Sequence, residues 1–243
     1  MDRSPPGPSA ALERFQQHSA APPPGLAQWR RPRHVAKGDP DTPLRWAAER
    51  RALRQFPAQA VVLAEDECHL DLLPWVRATW ILRGQRQLVM TPGQNQRRSL
   101  CGGVDLGTGK WCVKVARRAN SAAFVRLLAC LMDTYADAPA IAVVLDNVNI
   151  HSSRMVQAWL LGHPQVHLLY GARYCPHENP VERIWGALKA HLDNSPPPTM
   201  AGRVSQAMSF FAAATPEQML QSAAPWNARW LPRHYGQDLC KAP

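Results

Sequence analysis

The chain has 243 residues, a formal net charge of +10 and 46% hydrophobic residues. Length and apolar content allow one sizeable core and exclude a globally disordered chain, since domains commonly run about 100–200 residues. No run reaches the roughly 18 apolar residues of a membrane helix and MDRSPPGPSA lacks the apolar stretch of a secretory signal, while the basic excess favours a polyanionic partner such as nucleic acid.

Residues 1–44 hold nine of the 23 prolines, including Pro22-Pro23-Pro24, and read as an extended arm. Inside it, WRRPRHVAKGDP gathers Arg30, Arg31, Arg33, His34 and Lys37, either as a solvated linker or as a strap along a phosphate backbone. Residues 43–56 then predict one amphipathic helix, stopped by Pro57. The short apolar run 60–64 predicts a buried strand that ends in Glu65-Asp66-Glu67, and two further strands are expected at 98–105 and 111–116 around a turn at 105–110. Helical spacing follows at 121–134, a buried strand at 140–145 ending at Asp146, a helix from about 152 to 161, and a strand at 166–170. Asn179-Pro180 opens another helix, with Asn as its cap and Pro in its first turn. After Pro196-Pro197-Pro198, helical patches resume at 199–213 and 216–222. Strands in antiparallel order followed by strand–helix crossovers imply a mixed α/β sheet flanked by helices. The expected organisation is an arm over 1–44, a catalytic domain over 45–195 and a helical tail over 196–243. The six cysteines form no CxxC and read as reduced thiols of a cytoplasmic protein.

Two apolar runs end in aspartate, VVLAED at Asp66 and IAVVLD at Asp146, and the capped helix carries Glu182. The ends of strands are where α/β sheets place their sites. Three carboxylates that converge repel one another unless a cation lies between them, and hard oxygen ligands of this kind select Mg²⁺ or Mn²⁺. Strand alternation puts Glu65 and Glu67 on the face opposite Asp66 and leaves them out of that set. Asn147 and His151 are open to two readings, one as groups that orient the carboxylates or touch a DNA strand, the other as a turn residue and a helix-start histidine. Arg183 and Lys189 lie on the Glu182 helix, either on phosphates or on a solvated face, and Trp185 reads as a packing anchor for that helix.

EDE at 65–67, LDNVNIH at 145–151 and YCPHENPVERIW at 174–185 resemble the three signature blocks of mariner-superfamily bacterial insertion-sequence transposases. RATWILRGQR at 77–86 and GGVDLGTG at 102–109 resemble two further stretches of that family, and 35 residues separate Asp146 from Glu182, close to the family's spacing. The resemblance implies a ribonuclease-H-like fold and an Asp-Asp-Glu triad at Asp66, Asp146 and Glu182 holding Mg²⁺ or Mn²⁺, two ions in number. It implies cleavage of double-stranded DNA at an element's end, then in-line attack of the freed 3′-hydroxyl on target DNA, by a homodimer that is nucleoid-associated when bound. Arg30, Arg31, Arg33, Lys37, Arg183 and Lys189 are the expected DNA contacts.

Three departures stand out. The family's Leu before Asn-Pro is Glu178 here, an extra carboxylate near the site that either perturbs metal binding or, the favoured expectation, faces solvent, and Tyr170-Gly171-Ala172-Arg173 lengthens the approach to the third block. Residues 1–28 lack the helix-turn-helix pattern that usually precedes the family's catalytic region, so a catalytic core without its DNA-reading domain is expected. Two rivals remain at this point: a ribonuclease-H-like nuclease without strand transfer, and an inactive relic that binds DNA non-specifically.

Overall fold

The computed structural model describes residues 40–232, apart from 79, 81, 85, 87, 174, 176 and 177. The basic cluster Arg30, Arg31, Arg33 and Lys37 lies outside the described residues. In chain order the elements are α1 (Thr42–Leu53), β1 (Val61–Asp71), β2 (Arg97–Asp105), β3 (Trp111–Ala116), α2 (Ser121–Thr134), β4 (Ile141–Leu145) and α3 (Arg154–Leu161). They continue with β5 (Val166–Tyr170), α4 (Pro180–Leu192), α5 (Met200–Ala213), α6 (Pro216–Ala223) and a 3₁₀ turn at Pro225–Asn227.

The five strands form one sheet in the order β3-β2-β1-β4-β5. β1, β2 and β3 pair antiparallel, β2 and β3 through a short turn at 106–110 and β1 and β2 through the long connection 72–96, whereas β4 and β5 run parallel to β1 because helices carry the chain back between them. The strand expected over 60–64 runs on to Asp71. Its antiparallel register with β2, from Leu63↔Asp105 to Asp71↔Arg97, carries three acidic residues in a row through the ladder. Pairing with β4 stops at Ala64↔Val144, so Asp66 lies just beyond the parallel part of β1 while still paired with Gly102.

Alternation sorts the side chains of β1 into two cores. Val62, Ala64, Cys68 and Leu70 pack with Val181, Ile184, Trp185 and Leu188 of α4, and with Phe211 of α5 and Met219 of α6. Leu63, on the other face, joins Phe124, Leu127, Leu128 and Leu131 of α2 and Val156 of α3. Helix starts are set by side-chain caps: Asn120, Ser153, Asn179, Thr199 and Thr215 each accept a first-turn amide. The buried residues of α1 are Glu49 and Leu53, so the helix expected to be amphipathic buries a carboxylate rather than an apolar stripe. Arg203 of α5 is buried and donates to the carbonyls of Leu192 and Leu72, satisfying the end of α4 and the exit of β1 together. Cys68, Cys101, Cys112, Cys130 and Cys175 are free thiols, and no described helix is long and apolar enough to cross a membrane.

Candidate active site

The offset that pairs Ala64 with Val144, continued two residues, brings Asp66 of β1 alongside Asp146, the residue after β4. α4 crosses this point because its cap is tied to β1. Asn179 Oδ1 accepts from the amide of Val181 at 3.1 Å, while Asn179 Nδ2 donates to the carbonyl of Glu65 at 2.8 Å. The first turn of α4, with Glu182, is thereby held beside the residue that precedes Asp66. Asp66, Asp146, Glu182, Asn147, Asn179 and Glu178 all line one cavity of about 450 Å³, bordered also by Trp46, Arg173 and Trp230.

The two aspartates sit in opposite electrostatic settings. Burial, then the neighbouring charge of Glu182, pushes the Asp66 carboxyl up to about 8, and its Oδ2 is buried without a hydrogen-bond partner. Burial also acts to raise Asp146, yet the hydrogen bonds from His151 and the Val148 amide outweigh it and hold Asp146 below the usual carboxylate range. Asp146, favoured in its ionised form, therefore shares the cavity with Asp66, favoured in its protonated form at neutral pH and carrying an orphaned oxygen, and with a third acid, Glu182. Three carboxylates around one cavity, one with an unsatisfied buried oxygen, are hard donors of the kind a divalent cation takes, although among the described residues the side chains whose ligand atoms gather within 4.8 Å of one another are those of Glu65, Glu67 and His151.

Two of the neighbouring residues named from the sequence serve the loop after β4. Asn147 lines the cavity, and its Nδ2 donates to the carbonyl of Gly171 at 2.6 Å, joining the exits of β4 and β5. His151 is fully buried behind the cavity, with Nδ1 at 3.3 Å from both Asp146 Oδ1 and the Asp146 carbonyl. Tyr170 Oη donates to the His151 carbonyl at 3.2 Å, and Ser121 Oγ to the Ile150 carbonyl at 2.9 Å, so the 146–151 loop is held from both sides. Arg183 and Lys189 do not border the cavity: Arg183 reaches the Ala224 carbonyl at 3.5 Å, and the Lys189 ammonium stands 5.0 Å over the Trp75 ring.

Glu178 does not face solvent. Its side chain is 10% exposed, with Oε2 accepting from the Arg229 amide at 3.2 Å and its carbonyl accepting from Trp230 Nε1 at 3.0 Å. The partner lies 51 residues away, which no local pattern signals. Reading the sequence also missed Arg173, an exposed cation on the cavity's border, and Glu49, whose carboxyl burial raises to about 7 against the pull of Arg45 and Arg50.

Residues 61–201, more than half of the chain, match the DDE superfamily endonuclease family. The chain is a member of that family. It is 40% identical over 161 residues to the uncharacterized 39 kDa protein of insertion element IS630 from Shigella sonnei, an alignment covering 66% of this chain and 47% of that protein. The chain thus spans about half the length of this relative. Among solved structures it resembles the Mos1 mariner paired end complex with Mn (TM-score 0.60, 16% identity, 91% of this chain and 68% of that one). It also resembles the Mos1 transposase catalytic domain solved with raltegravir and Mg (TM-score 0.55, 15% identity, 79% of this chain and 92% of that one). At such identities the likeness is one of fold: the mixed five-stranded sheet of this DDE family member, flanked by helices, is the ribonuclease-H-like fold of the Mos1 catalytic domain.

Proposed function

We propose that the chain is the catalytic core of a transposase, cutting DNA at an element's ends and joining the freed 3′-hydroxyl to target DNA with Asp66, Asp146 and Glu182 as its catalytic triad. The observation that carries this reading is the one cavity lined by all three carboxylates, together with the buried Oδ2 of Asp66 that has no hydrogen-bond partner. Asp66, Asp146 and Glu182 would hold Mg²⁺ or Mn²⁺, two ions as in-line displacement at phosphorus favours. When bound, such a pair activates the attacking oxygen and stabilises the leaving one. Asp146 contributes a charge fixed by His151 and the Val148 amide, whereas Asp66 must give up its proton for the site to load. Asn147 fixes the loop that presents Asp146, and Arg173 at the rim is placed to meet a phosphate.

Double-stranded DNA is the polyanion that the +10 charge suits. A homodimer agrees with the exposed apolar side chains of Val76, Trp80, Leu82, Leu88 and Met90 between β1 and β2, and a cytoplasmic, nucleoid-associated location follows from the substrate. The test is a Mn²⁺-dependent assay on duplexes carrying the flanking element ends, with Asp66→Asn, Asp146→Asn and Glu182→Gln as controls. Cleavage and joining that disappear in all three variants support the reading. Cleavage without joining would make the chain a nuclease, and activity surviving in any one variant would remove that residue from the triad.

A further inference from the structure

Alternation that sends Asp66 into the cavity sends Glu65 and Glu67 together to the opposite face of β1, where they meet His151. Nε2 of His151 lies 3.1 Å from Glu67 Oε1 and 3.5 Å from Glu65 Oε2, and one ligand atom of each residue falls within 4.8 Å of the others. We propose that Glu65, Glu67 and His151 form a second divalent-cation site, for a borderline metal such as Zn²⁺, back to back with the triad across β1.

Three observations carry it. Glu65 is 0% exposed and neither of its oxygens has a hydrogen bond, the 3.5 Å contact to His151 being too long to serve as one. A buried carboxyl in that state is held protonated unless a cation stands beside it to let it ionise. A dication held by a neutral imidazole would balance both glutamates in their ionised form, which one imidazolium shared with Asp146 cannot do, and would leave the ring's second N–H for Asp146. Second, bonds of about 2.0–2.2 Å to nitrogen and oxygen around a tetrahedral ion separate the ligand atoms by about 3.3–3.6 Å; Nε2 stands at that spacing from Glu65 Oε2, and its 3.1 Å hydrogen bond to Glu67 Oε1 need open only slightly to admit the ion. Third, the other ring nitrogen already points at an acid, Nδ1 standing 3.3 Å from Asp146 Oδ1. Histidines that ligate metals characteristically donate their second N–H to a carboxylate, which fixes the tautomer. The imidazole nitrogen favours Zn²⁺ over Mg²⁺, and the 12% exposure of the Glu67 side chain gives the ion its way in. Through His151 the second ion would hold Asp146 in place for the triad.

The site is independent of the proposed DNA chemistry and is tested without it. The full chain carrying Asp66→Asn and Glu182→Gln, with the cavity disabled, is titrated with Co²⁺ and read by its visible d–d absorption. About one equivalent in a low-coordinate environment is expected, with affinity lowered about a hundredfold or more by adding Glu67→Gln. No Co²⁺ uptake in the cavity-disabled chain, or uptake indifferent to Glu67→Gln, overturns the proposal. Because a core variant can fail to fold, ¹⁵N-histidine spectra of the intact wild-type chain give a second reading. Saturating Zn²⁺ should move the Nε2 resonance assigned to His151 by its loss in His151→Gln, and an unmoved resonance overturns the site.

Discussion

The indole of Trp185 covers Gly102 so closely that a Cβ built on Gly102 would stand 2.7 Å from its Cη2 and 3.1 Å from its Cζ2. Gly102 is the residue paired with Asp66 in the sheet, and Trp185 lies one turn after Glu182 on α4. The missing side chain therefore sets how deeply the helix bearing one acid of the proposed triad settles on the strand bearing another. Gly102→Ala should cost about 1–3 kcal/mol by overpacking and lift the first turns of α4. Displacement of that order should slow Mn²⁺-dependent cleavage about tenfold to a hundredfold. Adding Trp185→Phe, which shortens the ring, should recover part of both losses in melting and cleavage assays. A Gly102→Ala protein with unchanged stability and rate would show that the indole moves aside at no cost.

Much of this arrangement was legible in the sequence because it rests on local rules. Asn179-Pro180 announced the start of α4, and alternation around Asp66 correctly put Glu65 and Glu67 on the far face. The length of β1 was hidden, since Glu65, Asp66 and Glu67 interrupt its apolar pattern and the ladder to β2 carries the strand through them. Glu178 was misjudged for a different reason. Its burial depends on Arg229 and Trp230 folding back over it, a contact set by tertiary packing alone. That Glu65, Glu67 and His151 meet was equally out of reach, as the bonded pair is separated by 84 positions in the chain.

Asp66 makes the metal-free protein pH-sensitive in a defined direction. Its folded carboxyl titrates at about 8, above its ordinary value, so the stability it contributes is complete below about pH 4 and is lost as pH rises through about 8. The metal-free melting temperature of wild type should fall relative to that of Asp66→Asn across this window. Mg²⁺ or Mn²⁺ binds the ionised form, so the stabilisation it gives should grow with pH, reaching about 2.7 kcal/mol at a hundredfold excess over the dissociation constant. Thermal melts at pH 6 and 8.5, with and without Mn²⁺, check both signs. A metal-induced shift of equal size at the two pH values would remove Asp66 from the ligand set.

Glu178 should matter through its carboxylate oxygen more than through its charge. The Arg229 side chain is 69% exposed and 3.8 Å distant, so that ion pair is weak, whereas the amide of Arg229 donates to Oε2 at 3.2 Å. Glu178→Gln keeps an acceptor and should change stability little. Glu178→Ala leaves that amide without its partner, costs about 1–2 kcal/mol and opens the chain after Ala224 to protease. Limited proteolysis with mapped cut sites distinguishes the two variants, and equal resistance in both would show that Trp230 alone holds the segment.

The basic arm is expected to bind phosphates. Removing Arg30, Arg31, Arg33 and Lys37 together should flatten the dependence of DNA affinity on salt, because each lost phosphate contact changes the slope of log affinity against log salt by about 0.9. Fluorescence anisotropy over a salt series, on variants that melt like wild type, measures it. An unchanged slope would return the cluster to the role of a solvated linker.

Sequence specificity should be nearly absent from this chain. Base edges are read by side chains in a groove, usually from a helix, whereas phosphate contacts position a protein without reading it. The arm's arginines and the +10 charge suit the second kind of contact. The first kind has no motif in residues 1–28, and the α4 cations do not supply it, with Arg183 turned to Ala224 and Lys189 over Trp75. Binding is therefore expected to be salt-sensitive and in the non-specific range, about 10⁻⁴ to 10⁻⁶ M at physiological salt. Any cutting should be metal-dependent and poorly directed to element ends. Competition between the flanking terminal repeats and a scrambled duplex of equal length measures this directly, since equal charge cancels the phosphate contribution and leaves only base readout. Specific complexes exceed non-specific ones by about a thousandfold or more. A preference of that size for the repeats would place a base-reading element in the arm or beyond residue 232, and the same competition on a chain starting at Pro40 would then say which.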